Sequence, residues 1–151
     1  METSELLRNW LEMLITGLDT EVDAETRARV LKHCGQGCAL YHGSLEQAKA
    51  IQQVAQDIDG LLDTLNQQEG LWCGRWIRDG DIITSICEAC GCPLVRAGLV
   101  KPSPTFCNCS PGWVEAVFEI VLRGPVTVEL KQAIGRGDPV CEFTVRFDAG
   151  A

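Results

Sequence analysis

SPGWVEAVFEIVLRGPVTVELKQAIGRGDPVCEFTVRF, residues 110–147, is the stretch whose reading decides the fold. Ser110 and Pro111 suit the N-cap and first turn of a helix, and Trp113, Val114, Val117, Phe118 and Val121 follow at helical spacing until Gly124. Beyond Pro125 the period changes. Val126, Val128 and Leu130 alternate with Thr127, Glu129 and Lys131; after the turn Gly-Arg-Gly-Asp, Cys141, Phe143, Val145 and Phe147 alternate with Glu142, Thr144 and Arg146. A helical period giving way to strict alternation predicts a helix that feeds two half-buried antiparallel strands.

Working outward, LWCGRWIR and DIITSICEA, residues 71–78 and 81–89, flank Asp79-Gly80 and read as an earlier β-hairpin. The first 68 residues read as helices. Leu7, Trp10, Leu11, Leu14 and Leu18 form an apolar stripe on a first helix over roughly residues 4 to 16, with Ser4 as N-cap, and that stripe must pack on something. A second helix starts near Asp23, presents Ala28, Leu31, Gly35 and Cys38 on one face, and stops at or before Gly43. Ser44 with Gln47 makes a capping-box pattern for one long third helix carrying Leu45, Ala48, Ile51, Ala55, Ile58, Leu62 and Leu65. The predicted fold class is therefore α+β: N-terminal helices packed on an antiparallel β-sheet, with a further helix between the two hairpins. One domain over residues 1–151 is expected, with a helical part at 1–68 and a cysteine-rich, β-rich part at 69–151.

Charge narrows the partners. A formal charge of −8, with no run of Lys or Arg, argues against nucleic acid. No apolar stretch is long enough to span a bilayer, so no membrane is expected, and the N-terminus METSELLRNW lacks the features of a signal peptide. A cytoplasmic location follows as the expectation, with a small-molecule ligand and a second copy of the chain, forming a homodimer, as candidate partners.

Nine cysteines in 151 residues need a cause. Their number is odd and no export signal accompanies them, so a secreted disulfide framework fits poorly. Five of them bracket one Pro-rich loop containing Pro93, Pro102 and Pro104: Cys87, Cys90 and Cys92 form C-x2-C-x-C, and Cys107 and Cys109 form C-x-C after fourteen residues. Soft thiolates in two short knuckles suit zinc, with Cys90, Cys107, Cys109 and either Cys87 or Cys92 as four ligands; an iron-sulfur cluster is the alternative. Reversible oxidation of the C-x-x-C pair Cys87 and Cys90, and plain burial of small apolar side chains, are the competing readings.

A second group lies in HCGQGCALYH, residues 33–42. Cys34, Cys38 and His42 share a helix face and, with Cys141, are candidate ligand-binding residues on a cavity wall. Gly35 and Gly37 in the same helix point equally to close packing against another backbone. Trp72 and Trp76 share a strand face with Gly74 between them, which suits core packing or an indole-lined pocket. No Ser/His/Asp pattern or phosphate-cradling glycine loop is present.

CGQGCA at residues 34–39, together with CNCSPGWVEAVFEIVLRGPVTVELKQAIGRGDPVCEFTV from Cys107 onward, resembles an uncharacterised family of bacterial and archaeal cysteine-rich proteins. These in turn look related to the 4-vinyl-reductase, or hydrocarbon-binding, domain and to the aminothiazoline-carboxylate hydrolase-like proteins. The resemblance implies the α+β ligand-binding fold shared with Golgi transport-complex subunits and nitric-oxide sensors, in which helices flank an antiparallel sheet and enclose a small-molecule cavity. Where the vinyl-reductase-like domains would carry a further cysteine before the turn, this chain has Lys131, Gln132 and Ala133. The expected function is a small-molecule-binding or sensor domain with a cysteine-thiolate metal site. Metal-dependent hydrolysis of a small sulfur- or nitrogen-containing compound is the first alternative, and thiol redox chemistry the second.

Overall fold

The computed structural model describes residues 1–68 and 74–148. Among these, six α-helices and one four-stranded sheet form the α+β arrangement expected from the sequence. Helices α1 (Thr3–Glu21), α2 (Ala24–Tyr41), α3 (Ser44–Val54) and α4 (Ile58–Gln67) precede strands β1 (Arg75–Asp79) and β2 (Ile82–Cys87). The short α5 (Pro93–Arg96) and a 3-10 turn at Phe106–Cys109 follow, then α6 (Ser110–Val121) and strands β3 (Val126–Gln132) and β4 (Cys141–Phe147). The sheet order is β1-β2-β4-β3 and every pairing is antiparallel, so the two hairpins meet along β2 and β4 with α6 connecting them.

Several sequence expectations shift for local reasons. Helix α1 runs from residue 3 to 21 rather than 4 to 16, and Ser4 lies inside it, with no side-chain cap at Glu2. Asp23 does cap α2, accepting a hydrogen bond from the Thr26 amide at 2.9 Å. The single long third helix is two helices. Ala55 and Asp57 take extended backbone angles, and the Asp57 carboxylate starts α4 by accepting from the Gly60 amide at 2.7 Å. An acidic N-cap inside an otherwise continuous apolar stripe thus outcompeted helix continuation. Asp57→Ala should cost about 1 kcal/mol, read as a lowered urea midpoint at unchanged slope.

Ser44 is not the N-cap that its capping-box pattern with Gln47 predicts. Gly43, in the left-handed region at φ 82°, occupies the cap position, and the buried Ser44 hydroxyl instead accepts from the Trp113 indole at 3.0 Å. Ser110 likewise is not the N-cap of α6; Cys109 holds that position, because the 3-10 turn runs directly into the helix. The hairpin turn also moves by one residue. Asp79 pairs with Ile82, which leaves Gly80-Asp81 as the two-residue loop, with Gly80 supplying the positive φ. The presumed strand residues Leu71, Trp72 and Cys73 lie outside the described residues.

The core fills the space between the sheet and the α2, α3, α4 and α6 layer. Phe118, Val114 and Val117 from α6, Leu65 from α4, and Ile83 and Val145 from the sheet are fully buried. Trp76 sits against Phe118 with ring centroids 4.7 Å apart. Helices α2 and α6 cross at backbone contact. A Cβ built on Gly35 would lie 1.8 Å from the Cys109 carbonyl oxygen, and one on Gly112 would lie 1.9 Å from that of Lys32. The close-packing reading of Gly35 therefore holds, whereas Gly37 has open space beside it. Lys32 closes the edge of this seam on Glu115 at 2.6 Å.

Candidate functional site

The hairpins put thiols on the helix-facing side of the sheet. Cys87 ends β2, Cys141 begins β4, and the two are direct cross-strand partners. The α2–α6 crossing brings Cys38 over them, and the segment from Cys90 to Cys109 wraps the remaining side. Together they line a half-open chamber of about 110 Å³. Seven cysteines line it: Cys38, Cys87, Cys90, Cys92, Cys107, Cys109 and Cys141. Trp76, Phe106, Trp113, Val114, Leu130 and Phe143 supply most of the rest of the wall.

The five cysteines that bracket the Pro-rich loop thus gather at one place, together with Cys38 and Cys141 from the ligand-binding set. Cys34 and His42 do not join them. Both are exposed on α2 or just past its end, and neither lines the chamber. The helical face that joined Cys34, Cys38 and His42 is split by the Gly35 seam, which turns only Cys38 inward. No disulfide joins the eight described cysteines to one another. Among the described residues, no group of three or more His, Cys, Asp or Glu side chains is placed so that it could hold a metal ion.

Several contacts set the thiol positions. The Cys141 sulfur accepts from the Ile134 amide at 3.4 Å, and a Cβ on Gly135 would lie 2.5 Å from the Cys107 sulfur. The turn after β3 is itself fixed by Asp138, whose carboxylate accepts from the Ala133 amide at 2.8 Å, and by Gly137 at φ 91°. The Gly-Arg-Gly-Asp motif therefore lets the backbone approach the thiols closely.

Burial favours the neutral form of four of the lining thiols, Cys38, Cys92, Cys107 and Cys109. Burial, followed by the neighbouring Cys92 and Cys107 thiols, pushes Cys109 up to about 12. Burial also raises Cys38, with a smaller push from Cys92. Cys92 and Cys107 rise for the same first reason, although backbone amides of Leu94 and Val95, and of Ser103 and Gly135, oppose it. Protonated thiols are poor nucleophiles and weak donors, so at neutral pH these four offer polarisable, mainly apolar surface rather than reactive thiolate.

Two buried polar atoms complete the site. The Trp76 indole nitrogen and the Ser85 hydroxyl have no hydrogen-bond partner among the described residues, and the two residues face each other across β1 and β2. Trp76 also lines the chamber. An orphaned buried donor costs about 1–3 kcal/mol. Sequence reasoning found neither the Ser85 partner nor the sheet side of the wall, since alternation marks Trp76, Leu130 and Phe143 only as inward-facing.

A helix-backed antiparallel sheet enclosing a thiol-walled chamber defines an α+β chamber domain. More particularly, the chain belongs to a family of unknown function, DUF6144, which it matches over residues 1–148. No curated protein matches it. Among solved structures, it is similar to the phenol-responsive sensory domain of the transcription activator PoxR with phenol, at 16% identity and a TM-score of 0.53. That match covers 97% of this chain and 74% of the other. It is also similar to a trafficking protein particle complex subunit 3 from Naegleria fowleri covalently bound to palmitic acid, at 17% identity and a TM-score of 0.55, covering 96% and 95% of the two chains. These likenesses establish a shared fold. No described helix is long and apolar enough to cross a membrane.

Proposed function

We propose that this protein is a small-molecule-binding, sensor-type domain whose ligand occupies the thiol-walled chamber. The observation that carries the reading is the chamber itself: seven cysteines and a set of aromatic and aliphatic side chains converge from both hairpins, α2, α6 and the Cys90–Cys109 segment onto one space. Burial favours the neutral form of four of its seven thiols, and aromatic and aliphatic side chains supply most of the rest of its wall, which favours a neutral, mainly apolar ligand. Its volume of about 110 Å³ suits a body close to one aromatic ring, given that an engineered apolar cavity of about 150 Å³ binds benzene. The orphaned Trp76 indole adds a requirement for one hydrogen-bond acceptor. That proteins of the same fold hold phenol and, covalently, palmitic acid supports a small-molecule ligand for this chain, and the chamber volume favours the ring over the long chain.

The expected outcome is that phenol binds more tightly than benzene, and that Trp76→Phe removes roughly tenfold of the phenol affinity while leaving benzene unchanged. Isothermal titration calorimetry measures both. Equal affinities for the two probes would remove the acceptor requirement, and no uptake of either by a folded sample would sink the chamber reading.

A second reading rests on the same convergence. Cys87, Cys90, Cys92, Cys107 and Cys109, the expected zinc ligands, all line the chamber, and soft metals are held by such thiolates. Metal uptake would require at least three of these side chains to turn toward one point and to release protons held by burial, so affinity would rise with pH. Elemental analysis of anaerobically purified protein, repeated on Cys90→Ala and Cys107→Ala, tests it: metal lost in both variants supports the reading, and metal-free wild type removes it. The hydrolase alternative needs that metal with an open position.

A further inference from the structure

We propose that α1 is the contact surface for a second copy of this chain, paired antiparallel about a twofold axis at Trp10. Helix α1 buries none of its residues. Its rear face is fastened to the body: Arg8 donates to the Gly98 carbonyl at 2.9 Å, Asp19 accepts from the Thr105 hydroxyl, and Arg27 donates to the Asp19 carbonyl at 3.0 Å. On the opposite face, Leu6, Leu7, Trp10, Met13 and Leu14 are each between 43% and 68% exposed. A solvated helix face ordinarily carries charge. Here Glu5, Arg8, Glu12 and Asp19 all fall on the other side of the helix, at about 100° per residue, and the one charge in line with the stripe is Glu21, at the last residue of α1 and beyond Gly17.

The stripe is symmetric in sequence as well as apolar. Leu6 and Leu14 stand four residues either side of Trp10, Leu7 and Met13 three residues either side, and the small residues Thr3 and Gly17 seven. An isologous contact needs a surface that complements itself when rotated by half a turn. Reversing α1 about Trp10 lays Leu6 and Leu7 of one copy against Met13 and Leu14 of the other, with the two Trp10 rings meeting on the axis. The five exposed side chains present on the order of 500 Å² per copy. Covering both stripes would then bury on the order of 1,000 Å², the lower bound for a specific interface between proteins. A different protein would need no such palindrome.

Sedimentation of the full chain in reducing buffer at micromolar concentration tests this. Wild type should sediment at twice the chain mass. Leu7→Glu and Leu14→Lys should each weaken the dimer by at least about 30-fold by burying an unpaired charge, and the double variant Leu7→Glu/Leu14→Lys should restore it, since each new Glu then faces the partner's new Lys. Both positions are exposed in α1, so unchanged circular dichroism will show that the fold is kept. A monomeric wild type would overturn the proposal, as would single variants that remain dimeric. Single variants that dissociate without rescue in the double variant would overturn the antiparallel pairing.

Discussion

Gly35→Val is expected to destabilise this protein by about 3 kcal/mol or more and to abolish ligand uptake with it. The first added carbon would fall 1.8 Å from the Cys109 carbonyl oxygen and 2.8 Å from its carbonyl carbon. Both are backbone atoms at the junction of the 3-10 turn with α6, so no side-chain rotation relieves the clash. The helices must separate, and the same seam positions Cys38 and Cys109 on the chamber wall. Gly112→Ala should behave similarly against the Lys32 carbonyl, 1.9 Å from the new Cβ. Gly37→Ala is the control two residues away on the same helix. It meets nothing within 4 Å and should stabilise the helix by roughly 0.5–1 kcal/mol. Urea unfolding of the variants measures all three, and equal effects at Gly35 and Gly37 would show that the crossing is looser than described.

Stability should also fall steeply in alkaline solution. In the folded protein Cys109 keeps its proton up to about 12, whereas the unfolded chain releases it near the ordinary 9.0. Between those values the unfolded state binds fewer protons, so unfolding becomes easier as pH rises, by up to about 1.4 kcal/mol per pH unit for one thiol. The contribution is complete below 9.0 and is lost as pH rises through about 12. Cys38, Cys92 and Cys107, raised by the same burial, act in the same direction. Unfolding free energies of wild type and Cys109→Ala at about pH 8 and about pH 10.5 separate this thiol from lysine and tyrosine titration. The variant should lose visibly less stability across that interval. Parallel losses would mean that the Cys109 proton is not held by the fold. The same protons keep these four thiols of the chamber wall neutral, so affinity for an apolar ligand should decline over the same interval.

Most of the element order was legible because it is written in periods that neighbouring residues carry themselves. The change from helical spacing at Trp113–Val121 to alternation at Val126–Leu130 and Cys141–Phe147 needs no knowledge of what lies across the core. Asp23 as the start of α2 was legible for the same reason, since a cap is a contact between residues three apart. Failures arose where two local signals compete. Asp57 broke a helix that its apolar stripe would have continued, and Gly43 took the cap position that Ser44 seemed to own because Ser44 was drawn to the Trp113 indole on α6.

By itself, then, the sequence determined the α+β order, the antiparallel hairpins and the gathering of five cysteines around one loop. Each follows from backbone geometry and spacing within about twenty residues. Only the tertiary structure decided which thiols share a space. It set Cys87 opposite Cys141 by sheet register, turned Cys38 inward and left Cys34 and His42 outside by crossing α2 and α6 at glycine, and paired Trp76 with Ser85 across β1 and β2, each with a polar atom that has no partner among the described residues. Such placements depend on contacts between residues up to about a hundred positions apart, and a single sequence does not record the distances between them.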